Sequence, residues 1–343
     1  MKNKNLFSIL RAGYLITAVA LLTGVITSRA AWAESMDASS AATYVGEKVC
    51  KNCHDTENKL FGHTLHANVF RQNPRNEIEK TVCEACHGPG SNHVQNATDK
   101  NALIGYSKEW GTPIAKQNAQ CLTCHSGGQR MHWEGSIHQT NKLGCSDCHN
   151  PMARFSANGS LKKASITETC QSCHQQQRAE FRKKSHMPVP EGKMTCEDCH
   201  NPHGSKTKRL LKADSVNELC YQCHAEKRGP FLWEHAPVRE NCLNCHTPHG
   251  SNSDKLLVQT RPFLCSGCHS TTGSMGHLVW GENTLGTVVN GDPTSLGQTN
   301  VPGTQTNAGA TVLASKRMSG RSCQNCHSMI HGSNSPDGAR FQR

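Results

Sequence analysis

The stretch Cys220-Tyr221-Gln222-Cys223-His224, followed by Cys242-Leu243-Asn244-Cys245-His246-Thr247-Pro248-His249-Gly250, decides how this chain folds. Two thiols three residues apart lie on one helical turn, where both can reach the vinyl groups of a single porphyrin. The adjacent histidine then points its imidazole at the iron, which is the arrangement of covalent c-type haem attachment. Working outward, the same Cys-x-x-Cys-His string occurs ten times, and the ten copies use all 20 cysteines. The attachment cysteines are Cys50 and Cys53, Cys83 and Cys86, Cys121 and Cys124, Cys145 and Cys148, Cys170 and Cys173, Cys196 and Cys199, Cys220 and Cys223, Cys242 and Cys245, Cys265 and Cys268, and Cys323 and Cys326. The proximal iron ligands are His54, His87, His125, His149, His174, His200, His224, His246, His269 and His327. Zinc ribbons do not demand a histidine after each CxxC, and a thioredoxin-like site needs one CxxC rather than ten. The sequence therefore predicts ten covalently bound haems c.

Only 35% of residues are hydrophobic and 5% aromatic, too few to build an ordinary apolar core for a chain of 343 residues. The porphyrins themselves are expected to be the core, so that cofactor binding and folding are one event. Lys2 and Lys4, an apolar run from Tyr14 to Ile26 and Ala31-Trp32-Ala33 read as a signal peptide over residues 1–33, cleaved before Glu34. Export agrees with the cysteine usage, because c-type haem is attached outside the cytoplasm. The formal charge of +11 does not argue for nucleic acid. Four basic residues leave with the signal, and two propionates per haem outweigh the charge of the oxidised haem cores, roughly −20 against +10.

The histidines between the motifs add a second level of order. After the first motif of each successive pair a further histidine follows at a medium gap, His66, His138, His186, His235 and His277, at 12, 13, 12, 11 and 8 residues from the motif histidine. After the second motif it follows closely, as His93, His203, His249 and His331, at 6, 3, 3 and 4 residues. These are the candidate distal iron ligands. They divide the haem domain, residues 34–343, into five two-haem modules at 50–93, 121–152, 170–203, 220–249 and 265–331, the last carrying a loop insertion at 278–320. A His-x-Pro-His spacing lets the far histidine leave the haem held by the near one and reach a neighbour, which brings haems close together.

The second module breaks the rule: after Cys148-His149-Asn150-Pro151 stands Met152 where a histidine is called for. Met152 is a candidate distal ligand, and His–Met ligation raises the reduction potential above that of a bis-histidine iron. The competing readings are that Met152 only packs and His132 supplies the ligand, or that one iron stays five-coordinate. His63, at a gap of 9, fits less well than His66 and is read as lying at the surface or beside a ligand.

Ser165-x-x-Glu168 and Ser215-x-x-Glu218 are capping boxes leading into Cys170 and Cys220. Pro-Gly punctuation at 88–90, 201–204 and 247–250 argues turns, and no alternating apolar pattern is long enough for a sheet. The fold class predicted is a multihaem cytochrome c: elongated, with short helices and irregular loops wrapped around ten haems, little or no sheet, and each module touching chiefly its neighbours. The 278–320 insertion, rich in Gly, Thr and Asn, is read as a partner-docking segment or a disordered one, with docking favoured because it separates two haems that must stay in electronic contact.

An electron conduit, a periplasmic multihaem reductase with one exchangeable haem site, and a haem store compete. A reductase needs an open iron, for which only Met152 leaves room; a store has no need of ligands that link neighbouring haems. The conduit, an electron-transfer protein rather than an enzyme, is the reading the ligands favour.

Val216 to Asn252, with Cys220-Tyr-Gln-Cys-His224, Ala225-Glu-Lys-Arg-Gly-Pro230, Trp233-Glu-His235-Ala-Pro and Cys245-His-Thr-Pro-His-Gly250, resembles the decahaem periplasmic c-type cytochromes of the MtrA/MtoA/PioA/DmsE family. Gly320-Arg-Ser-Cys323 through His331-Gly-Ser-Asn334 resembles the family's C-terminal haem site, and the resemblance covers nearly all of the haem domain. It implies a periplasmic protein associated with the outer membrane, its staggered haem wire threaded into a β-barrel porin. Electrons would pass between periplasmic carrier cytochromes and the cell exterior, with the N-terminal haems facing the periplasm. The partners implied are the porin, those carriers and an extracellular multihaem cytochrome or dimethyl sulfoxide reductase; extracellular metal respiration and iron oxidation are both compatible. Met152 departs from the family's histidine, and the 278–320 loop is longer.

Overall fold

The computed structural model describes residues 41–261, 263–269, 322–336 and 338–342. The expected signal peptide, His277 and the 278–320 insertion lie outside the described residues.

Each CxxCH is one closed helical turn. In all ten, the motif histidine's N–H donates to the carbonyl of the first cysteine at 2.9–3.1 Å, so two cysteines and a histidine leave the same short rod in fixed directions. The first motif of each pair sits at the C-terminal end of a helix: Glu47–Lys51, Ile114–Leu122, Ile166–Gln171, Val216–Tyr221 and Phe263–Ser266. The second motif forms a four-residue helix (Glu84–His87, Cys145–Cys148) or a 3-10 turn (Cys196–Asp198, Cys242–Asn244, Cys323–Asn325). The serine half of the expected capping boxes is present: Ser165 Oγ accepts from Glu168 N and Ser215 Oγ from Glu218 N, both at 3.1 Å. None of the described helices is long and apolar enough to cross a membrane. Helices this short are marginal by themselves and need a packed face to hold them.

Side chains supply little of that face. Phe61, Ala67 and Val82 form a small cluster, with Phe70, Cys83 and Met152 packed against it, while Leu232, Met131 and Leu65 stay exposed. The apolar faces beside the motifs are those a porphyrin would cover.

Pairing between extended segments is confined, among the described residues, to isolated bridges, in accord with the expected absence of sheet. Three of them repeat one device. His149, His200 and His246 bridge to Leu161, Leu211 and Leu257. Each returning loop passes through the left-handed region, at Ser160 (φ 51°), at Arg209 and Leu210 (60° and 58°) and at Lys255 and Leu256 (57° and 58°). Two further bridges join segments of successive pairs: Ser185 with Ser251, and Trp233 with Ser333.

Candidate haem-iron sites

Seven of the ten motif histidines face another histidine ring at nearly constant separation. The centroid distances are 6.3 Å for His54–His93, 5.9 Å for His66–His125 and 6.2 Å for His138–His174. They are 6.0 Å for His149–His203 and 6.2 Å for His200–His249. His235–His269 and His246–His331 stand at 6.1 and 6.2 Å. Two imidazoles on opposite sides of one metal, each bonded at about 2 Å, place their centroids about 6.3 Å apart. Every one of the seven pairs joins one motif histidine to one histidine expected from the gap pattern. The donor set and the spacing therefore fit a six-coordinate haem iron.

The pairs obey a register that the sequence did not disclose. A medium-gap histidine faces the first motif of the next pair downstream: His66 to His125, His138 to His174, His235 to His269. A close-gap histidine faces the second motif of the pair upstream: His203 to His149, His249 to His200, His331 to His246. His93, having no pair upstream, faces His54. The far histidine of His-x-Pro-His thus turns away from the near one and faces a motif histidine of the preceding pair.

Backbone carbonyls orient the motif histidines of all five second motifs. The Nδ1 atoms of His87, His149, His200, His246 and His327 lie 2.5–2.9 Å from the carbonyls of Ile104, Gly159, Arg209, Lys255 and Arg340. With Nδ1–H donating, Nε2 is left as the ligand atom, and the hydrogen bond raises its basicity. The loops that reach into left-handed conformation exist to bring these carbonyls back over the ring. Two medium-gap histidines are held likewise across the junctions, His138 Nδ1 to Pro202 O at 2.7 Å and His235 Nδ1 to Ile330 O at 3.0 Å. Burial, and then neighbouring His149, brings His203 down to about 4. Burial, followed by Lys227, does the same for His331. Both imidazoles are thereby held neutral, the form that binds a metal.

The thiols trace the order of the sites. Burial, then the Cys50 thiol, pushes Cys83 up to about 12, and burial, then the Cys124 thiol, pushes Cys86 up to about 11. The same neighbour relation links Cys121 with Cys145, Cys148 with Cys173 and Cys170 with Cys196. It continues through Cys199 with Cys223, Cys220 with Cys242, Cys245 with Cys268 and Cys265 with Cys323. First cysteines meet within a pair and second cysteines meet across a junction, so the ten sites follow one another in sequence order without a branch.

The junctions are close-packed on glycine. A Cβ on Gly204 would lie 1.9 Å from His132 O, one on Gly250 2.0 Å from Glu180 O, and one on Gly332 2.1 Å from the Phe231 ring. Each glycine follows a close-gap histidine, and the repeated His-Gly string was the sequence signal for a contact that spacing arguments missed. His132 accordingly spends its backbone on the Gly204 junction. His63 lines a surface recess with Arg71 and Arg154. Among the described residues, no ring stands at that separation from His87 or His224. His186, expected as a distal ligand, has its Nδ1 3.1 Å from Met187 O and its Nε2 3.8 Å from Glu191.

Comparison with known proteins agrees with this layout. The doubled CXXCH motif family matches residues 138–179, 186–229 and 235–274, and the NrfB-like cytochrome c-type family matches 83–158. The doubled-motif matches run from a medium-gap histidine through the second motif of one pair to the first of the next, one motif out of step with the frame drawn from the gaps. Since the facing histidines cross both kinds of junction, neither frame is privileged. The multihaem cytochrome MtrA of Shewanella baltica is 39% identical over 298 residues, covering 87% of this chain and 81% of that protein. The cytochrome c-type protein TorY of Haemophilus influenzae is 26% identical over 28% of this chain and 40% of its own length. An undecahaem cytochrome from the S-layer of Carboxydothermus ferrireducens overlaps 56% of this chain and 39% of its own, at 18% identity and a TM-score of 0.16, too low a likeness to argue from. With ten CxxCH turns in an unbranched row and this relative matched along most of both chains, the chain belongs to the MtrA family of multihaem c-type cytochromes, electron-transfer proteins that carry their haem covalently.

Proposed function

We propose that the protein is a ten-haem electron wire that passes electrons between periplasmic carrier cytochromes and the cell exterior through an outer-membrane β-barrel porin. The observation that carries the reading is the register: seven histidine pairs at 5.9–6.3 Å, six of them joining one CxxCH pair to the next. Iron bound between two strong-field imidazoles has no open position for a substrate, and irons knitted to their neighbours lie close enough to exchange electrons.

In this reading the twenty motif cysteines attach ten haems, the motif histidines are proximal ligands, and His66, His93, His138, His186, His203, His235, His249, His277 and His331 are distal ligands. By the same register His186 belongs to His224; His277, with no pair downstream, is assigned to His327 of its own pair, as His93 at the other end of the row faces His54. The haem supplies one-electron redox chemistry; the chain holds the ligand planes, fixes Nε2 as the donor through the Nδ1 hydrogen bonds and sets the spacing. The five two-haem units act as repeats of one wire behind a cleaved signal peptide of residues 1–33, and the 278–320 loop contacts the outer partner. The porin assignment is supported by the family relationship and tested by purification from outer membranes. A barrel protein should co-purify in stoichiometric amount, and recovery of the cytochrome solely from the soluble periplasmic fraction contradicts the assignment.

A further inference from the structure

We infer that Met152 crosses the first junction to become the distal ligand of the His87 iron, making the second haem the single His–Met site in the row. The inference deepens the proposed wire and rests on its ligand register. Three independent features converge on it.

Met152 occupies the ligand position of its strap. Its N–H donates to Asn150 Oδ1 at 3.0 Å, as that of His203 does to Asn201 Oδ1 at 3.1 Å, so Asn-Pro-Met and Asn-Pro-His make the same Asx turn. The iron of Met152's own motif has no use for it, because His149 already faces His203 at 6.0 Å with the rings 13° from coplanar.

The strap is docked where the register sends it. The straps carrying His203, His249 and His331 abut His132, Glu180 and Phe231, which stand seven, six and seven residues after the upstream motif histidines His125, His174 and His224. Seven residues after His54 is Phe61, and Met152 packs against the Phe61, Ala67 and Val82 cluster together with Cys83, a thiol of the motif that carries His87. Ala153 fills the place of the usual glycine and is buried there.

Among the described residues no imidazole is paired with His87, its neighbours His54 and His93 facing each other, and the receiving site is otherwise built. His87 has its Nδ1 2.8 Å from Ile104 O and its ring edge against Tyr106, leaving Nε2 for the iron. His132, the competing donor, has its backbone carbonyl against Gly204 at the next junction, between the second and third pairs.

A thioether is a weaker donor than imidazole and favours ferrous iron, so the second site should hold the highest potential of the ten and be the first to fill with an electron. The test uses oxidised holoprotein with the near-infrared sulfur-to-iron charge-transfer band as readout, beside a spectroelectrochemical titration. Wild type should show the band at the strength of one haem in ten. Met152→His should keep every haem by mass, lose the band and shift the most positive wave down among the others. Met152→Leu should lose the band and leave one high-spin iron. Deleting the second haem with Cys83→Ala and Cys86→Ala should abolish the band, whereas deleting the fourth with Cys145→Ala and Cys148→Ala should keep it. If the deletions do not assemble, density of the wild-type holoprotein should place Sδ about 2.3 Å from the iron bonded to His87. A wild type without the band, a band that survives in Met152→His, or sulfur on the His149 iron overturns the inference. Failure of the wider reading looks different: density would show distal histidines on irons of their own pairs if the register is wrong, and no barrel partner would co-purify, with these spectra unchanged, if the conduit is wrong.

Discussion

Replacing Gly204 by alanine should open one iron and leave the other nine alone. Gly204 sits at φ 118°, and a Cβ there would come 1.9 Å from His132 O and 2.5 Å from His132 C, both backbone atoms that cannot swing aside. Restoring the 3.4 Å of ordinary contact requires the strap to withdraw by about 1.5 Å, yet a metal–ligand distance tolerates only about 0.2 Å. The neighbouring ties resist a gentler adjustment: Asn201 Nδ2 donates to Gln129 O at 2.9 Å, and Pro202 O accepts from His138 at 2.7 Å. His203 Nε2 should therefore leave the iron it shares with His149. Gly192→Ala is the control, since Gly192 has φ 70° and nothing within 4 Å of its would-be Cβ. It carries only the left-handed backbone cost of about 1–2 kcal/mol. Spin quantitation by electron paramagnetic resonance and carbon monoxide titration of the reduced protein should find one five-coordinate haem in Gly204→Ala and none in Gly192→Ala. If both variants remain low-spin throughout, the junction does not seat the ligand and the argument from close packing is wrong.

Other outcomes follow from the same geometry. The His66–His125 rings are 76° apart, whereas those of His149–His203 and His246–His331 are 13° and 11° apart. Crossed ligand planes leave two iron d orbitals nearly equal in energy, so His66→Ala should remove a highly anisotropic low-spin signal and spare the rhombic ones. Ser215→Ala removes the cap on Val216–Tyr221 and should cost about 1 kcal/mol, seen as a lower unfolding midpoint with haem content and spectra unchanged. Chain made in cells unable to attach haem should show no cooperative unfolding and no protected amides, because porphyrin burial replaces the side-chain core; a cooperative melt of the apo chain would refute that.

The ten CxxCH turns were fully legible in the sequence because they are local: one helical turn holds both cysteines and the histidine, and no distant residue can change that. Helix starts at Ser165 and Ser215 were legible for the same reason. The candidate distal ligands could be found from their gaps, but their irons could not. His66 meets His125 and His203 meets His149 through junctions made by chain far away in sequence, and the gap pattern is equally compatible with ligation inside each pair. The left-handed loops at Arg209 and Lys255 escaped notice because lysine, arginine and leucine carry no turn signature; tertiary demand for a carbonyl over the histidine ring overrides their local preference. The glycines after the distal histidines were visible in the sequence as turn residues. Their larger role is to let one backbone approach another, which only the assembled junction reveals.

The central claim is that ligands cross from pair to pair. High-resolution density of the holoprotein tests it most directly, by showing which second residue each iron binds. The expected ligands are His93 on the His54 iron, His66 on His125, His203 on His149, His138 on His174, His249 on His200, His331 on His246 and His235 on His269. Finding distal histidines on irons of their own pairs, such as His138 on the His125 iron and His249 on the His246 iron, would contradict it.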